Sequence, residues 1–196
     1  MARDIAPDDP RAEDLQLLVT QSERCRAILG QLSSRREDAD VMLARAPIKS
    51  LLEEVIVPHE GLGTEIVITT EGEGPLSVRR MPEIVHALGG IVENAVGFAN
   101  ARVDVEARWS ADSVEILVRD DGPGFAPGVL NRLGEPYLTE RDAEGAAGGL
   151  GLGFFISKTL LERTGAKLEV KNRRAPNQGA VVSVRWPRTA IEAPAL

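Results

Sequence analysis

The chain has 196 residues, 43% of them hydrophobic, and a formal net charge of -7. This composition supports a packed core and excludes a disordered chain, and the acidic balance excludes the basic footprint of a direct nucleic-acid binder. No apolar run reaches the roughly 18–20 residues of a spanning helix, no signal-peptide pattern follows Met1, and a single cysteine, Cys25, allows no internal disulfide, which fits a reducing cytosol.

Residues 1–10 are polar, acidic and proline-marked and read as a flexible N-terminus. From Arg11 a helical pattern begins, in which Leu15, Leu18, Ser22, Cys25, Leu29 and Leu32 recur at alternating spacings of three and four. That narrow heptad seam predicts a coiled-coil-like helix over 11–34, better matched to a dimeric bundle than to a broad core face. The bland alternative is a helix packed on the main domain. Cys25 lies on the seam. A free cysteine is ordinarily a small buried hydrophobe; in a paired helix, two Cys25 thiols would face each other and permit a redox-dependent crosslink. The polar stretch 35–46 reads as a linker. Pro47 then opens a helix over 47–57, with Ile48, Leu51, Leu52, Val55 and Ile56 on one side.

A globular domain is expected over 47–188, followed by a flexible C-terminus over 189–196. It holds five period-2 segments, with inward rows at Ile66, Ile68 and Thr70; Val103, Val105, Ala107 and Trp109; Val114, Ile116 and Val118; Ala166, Leu168 and Val170; and Val182, Val184 and Trp186. Clean alternation predicts a mixed, mostly antiparallel sheet with one wet face. Helices over 82–99 and 152–163 cover the other face, which makes a two-layer α/β sandwich.

On the 82–99 helix, Ile84, Leu88, Ile91, Val92 and Ala95 share a face, and Glu83, Gly90, Asn94 and Gly97 lie beside it. A carboxamide oxygen is a fair ligand for a hard cation, and the glycines leave room for a bound molecule; an ordinary surface asparagine is the alternative. His86 falls on the opposite, solvated face. His59 falls in a loop and receives no role.

The run 118–125 carries Asp120 on the inward row of the preceding strand and Asp121 on the outward one. A carboxylate at the end of an apolar row needs a partner, such as the amino group of adenine. Gly122 and Gly124 would let the chain pass flat against a ring, or simply form a turn. The aperiodic, Gly- and Ala-rich stretch 134–149 reads as a mobile lid, with Arg141 its best phosphate contact. Gly149, Gly151 and Gly153 then alternate with Leu150 and Leu152 just ahead of a helix, whose unpaired first amides suit a polyphosphate.

Taken in order, the segment around Asn94, DDGPGF at Asp120, EPYLTER at Glu135 and GGLGLGFFISK at Gly149 resemble the catalytic, ATP-binding domain of sensor histidine kinases, in the gyrase/Hsp90/histidine-kinase/MutL superfamily. The resemblance implies the Bergerat-type ATP-binding fold, with ATP and Mg²⁺ as cofactors. It implies that Asn94 coordinates Mg²⁺, that Asp120 binds the adenine amino group, and that Gly122 and Gly124 line the site with it. Gly149 to Gly153 match the second glycine box, Glu135, Pro136 and Tyr137 look like the F-box, and Arg141 matches a basic phosphate contact. Glu93, beside Asn94, is a candidate for orienting the acceptor. The heptad helix is similar to the second helix of the dimerisation and phosphoacceptor domain, and QSERCRAIL resembles the RegB/PrrB group of redox-responsive kinases, in which a cysteine matching Cys25 is implicated in redox control.

The sequence departs from that pattern in two ways. Gly90 stands four residues before Asn94, where the superfamily's ATPases carry a water-activating glutamate, and glycine is no general base. Poor hydrolysis is expected, as suits a phosphotransferase. No phosphoacceptor histidine is visible, since neither His59 nor His86 has the right context. The expectation is therefore the cytoplasmic catalytic part of a longer inner-membrane sensor kinase. It would bind ATP or ADP, dimerise through its N-terminal helix and serve a response-regulator receiver domain. A nucleotide-binding interaction module without transfer activity of its own is the alternative.

Overall fold

The computed structural model describes residues 45–61, 63–126, 130 and 152–194. The heptad helix with Cys25, residues 35–44 of the expected linker, the lid with Tyr137 and Arg141, and Gly149, Leu150 and Gly151 lie outside the described residues.

The elements, in chain order, are β1 (Arg45–Pro47), α1 (Ile48–Ile56), a short 3₁₀ turn (Val57–His59), β2 (Glu65–Gly72), β3 (Ser77–Arg79), α2 (Pro82–Phe98), β4 (Arg102–Trp109), β5 (Ser113–Asp120), α3 (Leu152–Arg163), β6 (Lys167–Asn172), β7 (Ala180–Pro187) and α4 (Arg188–Ile191). Five strands form the main sheet in the order β2-β4-β5-β7-β6. Only the β2–β4 pair is parallel; β4–β5, β5–β7 and β7–β6 are antiparallel. The parity read from the sequence holds, because register pairs Val105 with Val118 and Val118 with Val182, keeping the apolar rows on one face. Against that face pack Leu51, Leu52 and Ile56 of α1, Ile84, Leu88 and Ile91 of α2, and Leu160 and Leu161 of α3, in a single core with Trp186. Trp186 is fully buried and its indole N–H donates to Thr164 Oγ1 at 2.8 Å, as a buried indole requires.

Several expectations are corrected. The linker does not extend to residue 46: Arg45–Pro47 pairs with Ser77–Arg79 in a small antiparallel sheet. Three-residue strands have no readable period, which is why neither was expected. The C-terminus is not loose from 189. Arg188–Ile191 is helical, Ile191 is fully buried, and the Ala193 amide donates to the Ser77 carbonyl at 2.9 Å. The outer sheet face is not uniformly wet, since Leu117, Val181, Ser183 and Glu106 are buried on it. Glu106 accepts hydrogen bonds there from Arg108 and, at 2.7 Å, from Arg119. Burial pushes the Glu106 carboxyl up, but these two guanidiniums outweigh it and hold the group below the usual carboxylate range. His86 is half-buried and engaged, not solvated.

Candidate functional site

Asp120 ends β5 and is 5% exposed. A buried carboxylate must find donors, and two backbone amides supply them: Gly122 N–H at 2.9 Å and Ala180 N–H at 3.1 Å, both to Oδ1. Among the described residues Oδ2 has no hydrogen-bond partner. Oδ1 is thus fixed by the backbone from both sides. Asp121 points the other way, as expected, and does different work. Its carboxylate accepts from the amides of Asn100, Ala101 and Arg102, tying the α2–β4 turn to the end of β5. The Ala101 amide foremost, against the opposing effect of burial and with help from the Arg102 and Asn100 amides, holds Asp121 below the ordinary carboxylate range.

The glycines of the β5 exit have close neighbours within the chain. A Cβ on Gly122 would lie 2.1 Å from the Phe98 carbonyl oxygen, so this glycine lets the loop close on the end of α2. Gly124 has φ +77°, open to glycine at little cost, and a Cβ there would lie 2.8 Å from Asn172 Oδ1. The β6–β7 hairpin, which the sequence did not single out, holds the same loop from the other side. Asn172 Oδ1 accepts from the Phe125 amide and Asn172 Nδ2 donates to the Phe125 carbonyl, each at 2.8 Å. Arg173 Nη1 donates to the Asp120 carbonyl at 3.2 Å. Gly179, at φ +121°, lies so close that a Cβ would be 1.9 Å from that same oxygen. The Gly179 of the NQG run was the available signal, but a hairpin glycine is ordinary without its neighbours in space.

Helix α2 joins this end to the second motif. Asn94 and Glu93 are exposed on α2, Asn94 one turn before Phe98 and one turn after Gly90. Phe98 touches Gly122, while a Cβ on Gly90 would lie 2.7 Å from Ser157 Oγ of α3. Ser157 is buried and stands one turn after Gly153, at the start of α3. At about 5.4 Å per turn, Asn94 is therefore set between the Asp120 loop and the beginning of α3. The room expected at Gly90 does not exist, for it is filled by the close approach of two helices. Gly97 and Gly153 do face open space. Among the described residues no cluster of three or more His, Cys, Asp or Glu could hold a metal ion. Asn94 can offer one carboxamide oxygen, which fits a hard cation that arrives with phosphate and water ligands of its own.

Residues 81–190 match the family described as histidine kinase-, DNA gyrase B-, and HSP90-like ATPase. The chain belongs to that family. Within it the similarity runs to sensor kinases: "Sensor histidine kinase RegB" of Cereibacter sphaeroides is 33% identical over 208 residues, covering 95% of this chain and 45% of its own length. "Sensor histidine kinase CpxA" of Escherichia coli (strain K12) is 25% identical over 162 residues, covering 78% of this chain and 35% of its own. The solved structure of a "Mycobacterial sensor histidine kinase MprB" superposes with a TM-score of 0.63 at 19% identity, covering 77% of this chain and 99% of that one, which shows the fold. The chain spans about half the length of the curated relatives it matches.

Proposed function

We propose that this chain seats the purine of Mg·ATP against Asp120 and directs the γ-phosphate to a histidine on another segment or chain, from which a response-regulator receiver domain takes it. The observation that carries this reading is the asymmetry of Asp120: Oδ1 is saturated by two backbone amides, and Oδ2 is left for an exocyclic amino group. An acceptor oxygen locked in orientation selects adenine over a 6-oxo purine, because the wrong base leaves that oxygen unpaired.

At the other end, Asn94 would hold Mg²⁺, which neutralises phosphate charge when bound. The amides at Gly149 to Gly153 and the Arg141 guanidinium are assigned to the phosphates, with Tyr137 in the lid over them and Glu93 beside the acceptor. Gly90 offers no base for water, and Ser157 stands where a longer side chain would go, so the residues favour transfer over hydrolysis. Neither His59, in a 3₁₀ turn, nor His86, within α2, is assigned as acceptor. No helix among the described residues is long and apolar enough to cross a membrane. We assign this chain to the cytoplasmic side of an inner-membrane sensor, dimerised through the 11–34 helix, with Cys25 as its redox-sensitive residue.

Calorimetric titration with ADP and ATP, with and without Mg²⁺, tests the reading. Asp120→Asn should weaken binding at least tenfold, or about 1.4 kcal/mol, by removing a charge-assisted hydrogen bond. Unchanged affinity would reject the purine site. A second measurement, labelled ATP mixed with the chain and an acceptor-helix fragment, should place label on histidine; absence of label would favour a binding module without transfer.

A further inference from the structure

We infer that Asn172, at the end of β6, is a positioning residue that sets the purine selectivity of Asp120; this rests on the purine site proposed above. Asn172 is exposed, so water would satisfy its carboxamide equally well, and its own burial does not explain its two bonds. They form a bidentate rung to Phe125, 47 residues away in the chain, of the kind one β-strand offers another. The backbone has been cleared to let that rung form, since at Gly124 any side chain would begin 2.8 Å from Asn172 Oδ1.

The hairpin that begins at Asn172 also grips the other end of the loop. Ala180 N–H holds Asp120 Oδ1 at 3.1 Å, Arg173 holds the Asp120 carbonyl at 3.2 Å, and the Arg173 amide donates to the Gly179 carbonyl at 2.9 Å, closing the hairpin. With Asp121 tied to the α2–β4 turn, Gly122 to Gly124 are strung between that end of the loop and the Phe125 anchor on the hairpin. Gly122, the second donor to Oδ1, lies inside that span. Releasing the Phe125 anchor lets Gly122 and the carboxylate drift together, so Oδ2 loses its fixed direction. Affinity for a purine with an amino group should suffer more than affinity for one without it, because only the former depends on that direction.

The experiment is calorimetric titration of wild type, Asn172→Ala and Asp120→Asn with ADP and with inosine diphosphate, which lacks the amino group. In Asn172→Ala the ADP affinity should fall about tenfold, the scale of two neutral hydrogen bonds, and the inosine diphosphate affinity by much less. The ADP preference should narrow accordingly, with little change in the thermal midpoint of the nucleotide-free chain. Should Asn172→Ala fold poorly, Asn172→Asp keeps the acceptor for the Phe125 amide and loses the donor, and it should still narrow the preference. Equal losses for both nucleotides, or a wild-type ratio, would overturn the positioning role. Asp120→Asn separates the two claims: if it keeps the ADP preference, the purine site itself is wrong; if it loses the preference and Asn172→Ala does not, only the role of Asn172 falls.

Discussion

The two ends of the candidate site are built differently. At the β5 exit the backbone is closely held: Gly122 is pressed on Phe98, Gly124 on Asn172, Gly179 on Asp120, and the carboxylates of Asp120 and Asp121 accept from five backbone amides, those of Gly122, Ala180, Asn100, Ala101 and Arg102. Along α2 and the start of α3, the helices approach closely at Gly90 and Ser157, while Asn94, Gly97 and Gly153 are exposed. A base of fixed shape is best met by a pocket whose groups cannot rotate, since each loose donor weakens discrimination. A flexible polyphosphate with its cation brings charge that suits the amides of a helix start and a carboxamide oxygen. Among the described residues, the tighter backbone packing lies at the β5 exit, where the proposed recognition is by shape and hydrogen-bond direction.

The sharpest way to break this contrast is Gly179→Ala. A Cβ would meet the Asp120 carbonyl at 1.9 Å in a backbone conformation side chains rarely adopt. The cost should be about 3 kcal/mol or more, read by chemical denaturation, with ADP binding lost in parallel. Unaltered stability would mean that the hairpin does not clasp the loop. Acid is a gentler probe, of that end through Asp121 and of the outer sheet face through Glu106. Asp121 and Glu106 are both held below their ordinary range, so their contribution is fully present above the unfolded carboxylate value and disappears as pH falls through the folded one. Urea midpoints should therefore be level from neutral pH down to about 4 and decline below it, less steeply in Asp121→Asn. At the open end the expected effect is small and of opposite sign. Gly97→Ala adds a methyl where nothing lies within 4 Å, on an exposed helical position, and should raise stability by about 0.5 kcal/mol. A loss there would show that the region around Asn94 is packed more tightly than its exposure indicates.

Much of the architecture was legible because its signals are local. Alternation at Val114, Ile116 and Val118 placed Asp120 on the buried face and Asp121 on the other, and the ends of α2 and α3 followed from Pro82 and from the apolar spacing after Leu152. The failures share a cause. The strands Arg45–Pro47 and Ser77–Arg79 are too short to show a period, and Ile191 is buried through the Ala193–Ser77 pairing far from it in the chain. The tertiary structure adds reasons for three glycines that the sequence did not show: a Cβ would meet Ser157 at Gly90, Phe98 at Gly122 and Asn172 at Gly124.

By itself the sequence determined which residues face the core, which carboxylate ends an apolar row and which family the ordered motifs resemble, since period and motif depend on neighbours a few positions apart. Only the tertiary structure decided how that carboxylate is held. Its partners lie as far as 60 residues away and are backbone amides, which carry no mark in the sequence of side chains.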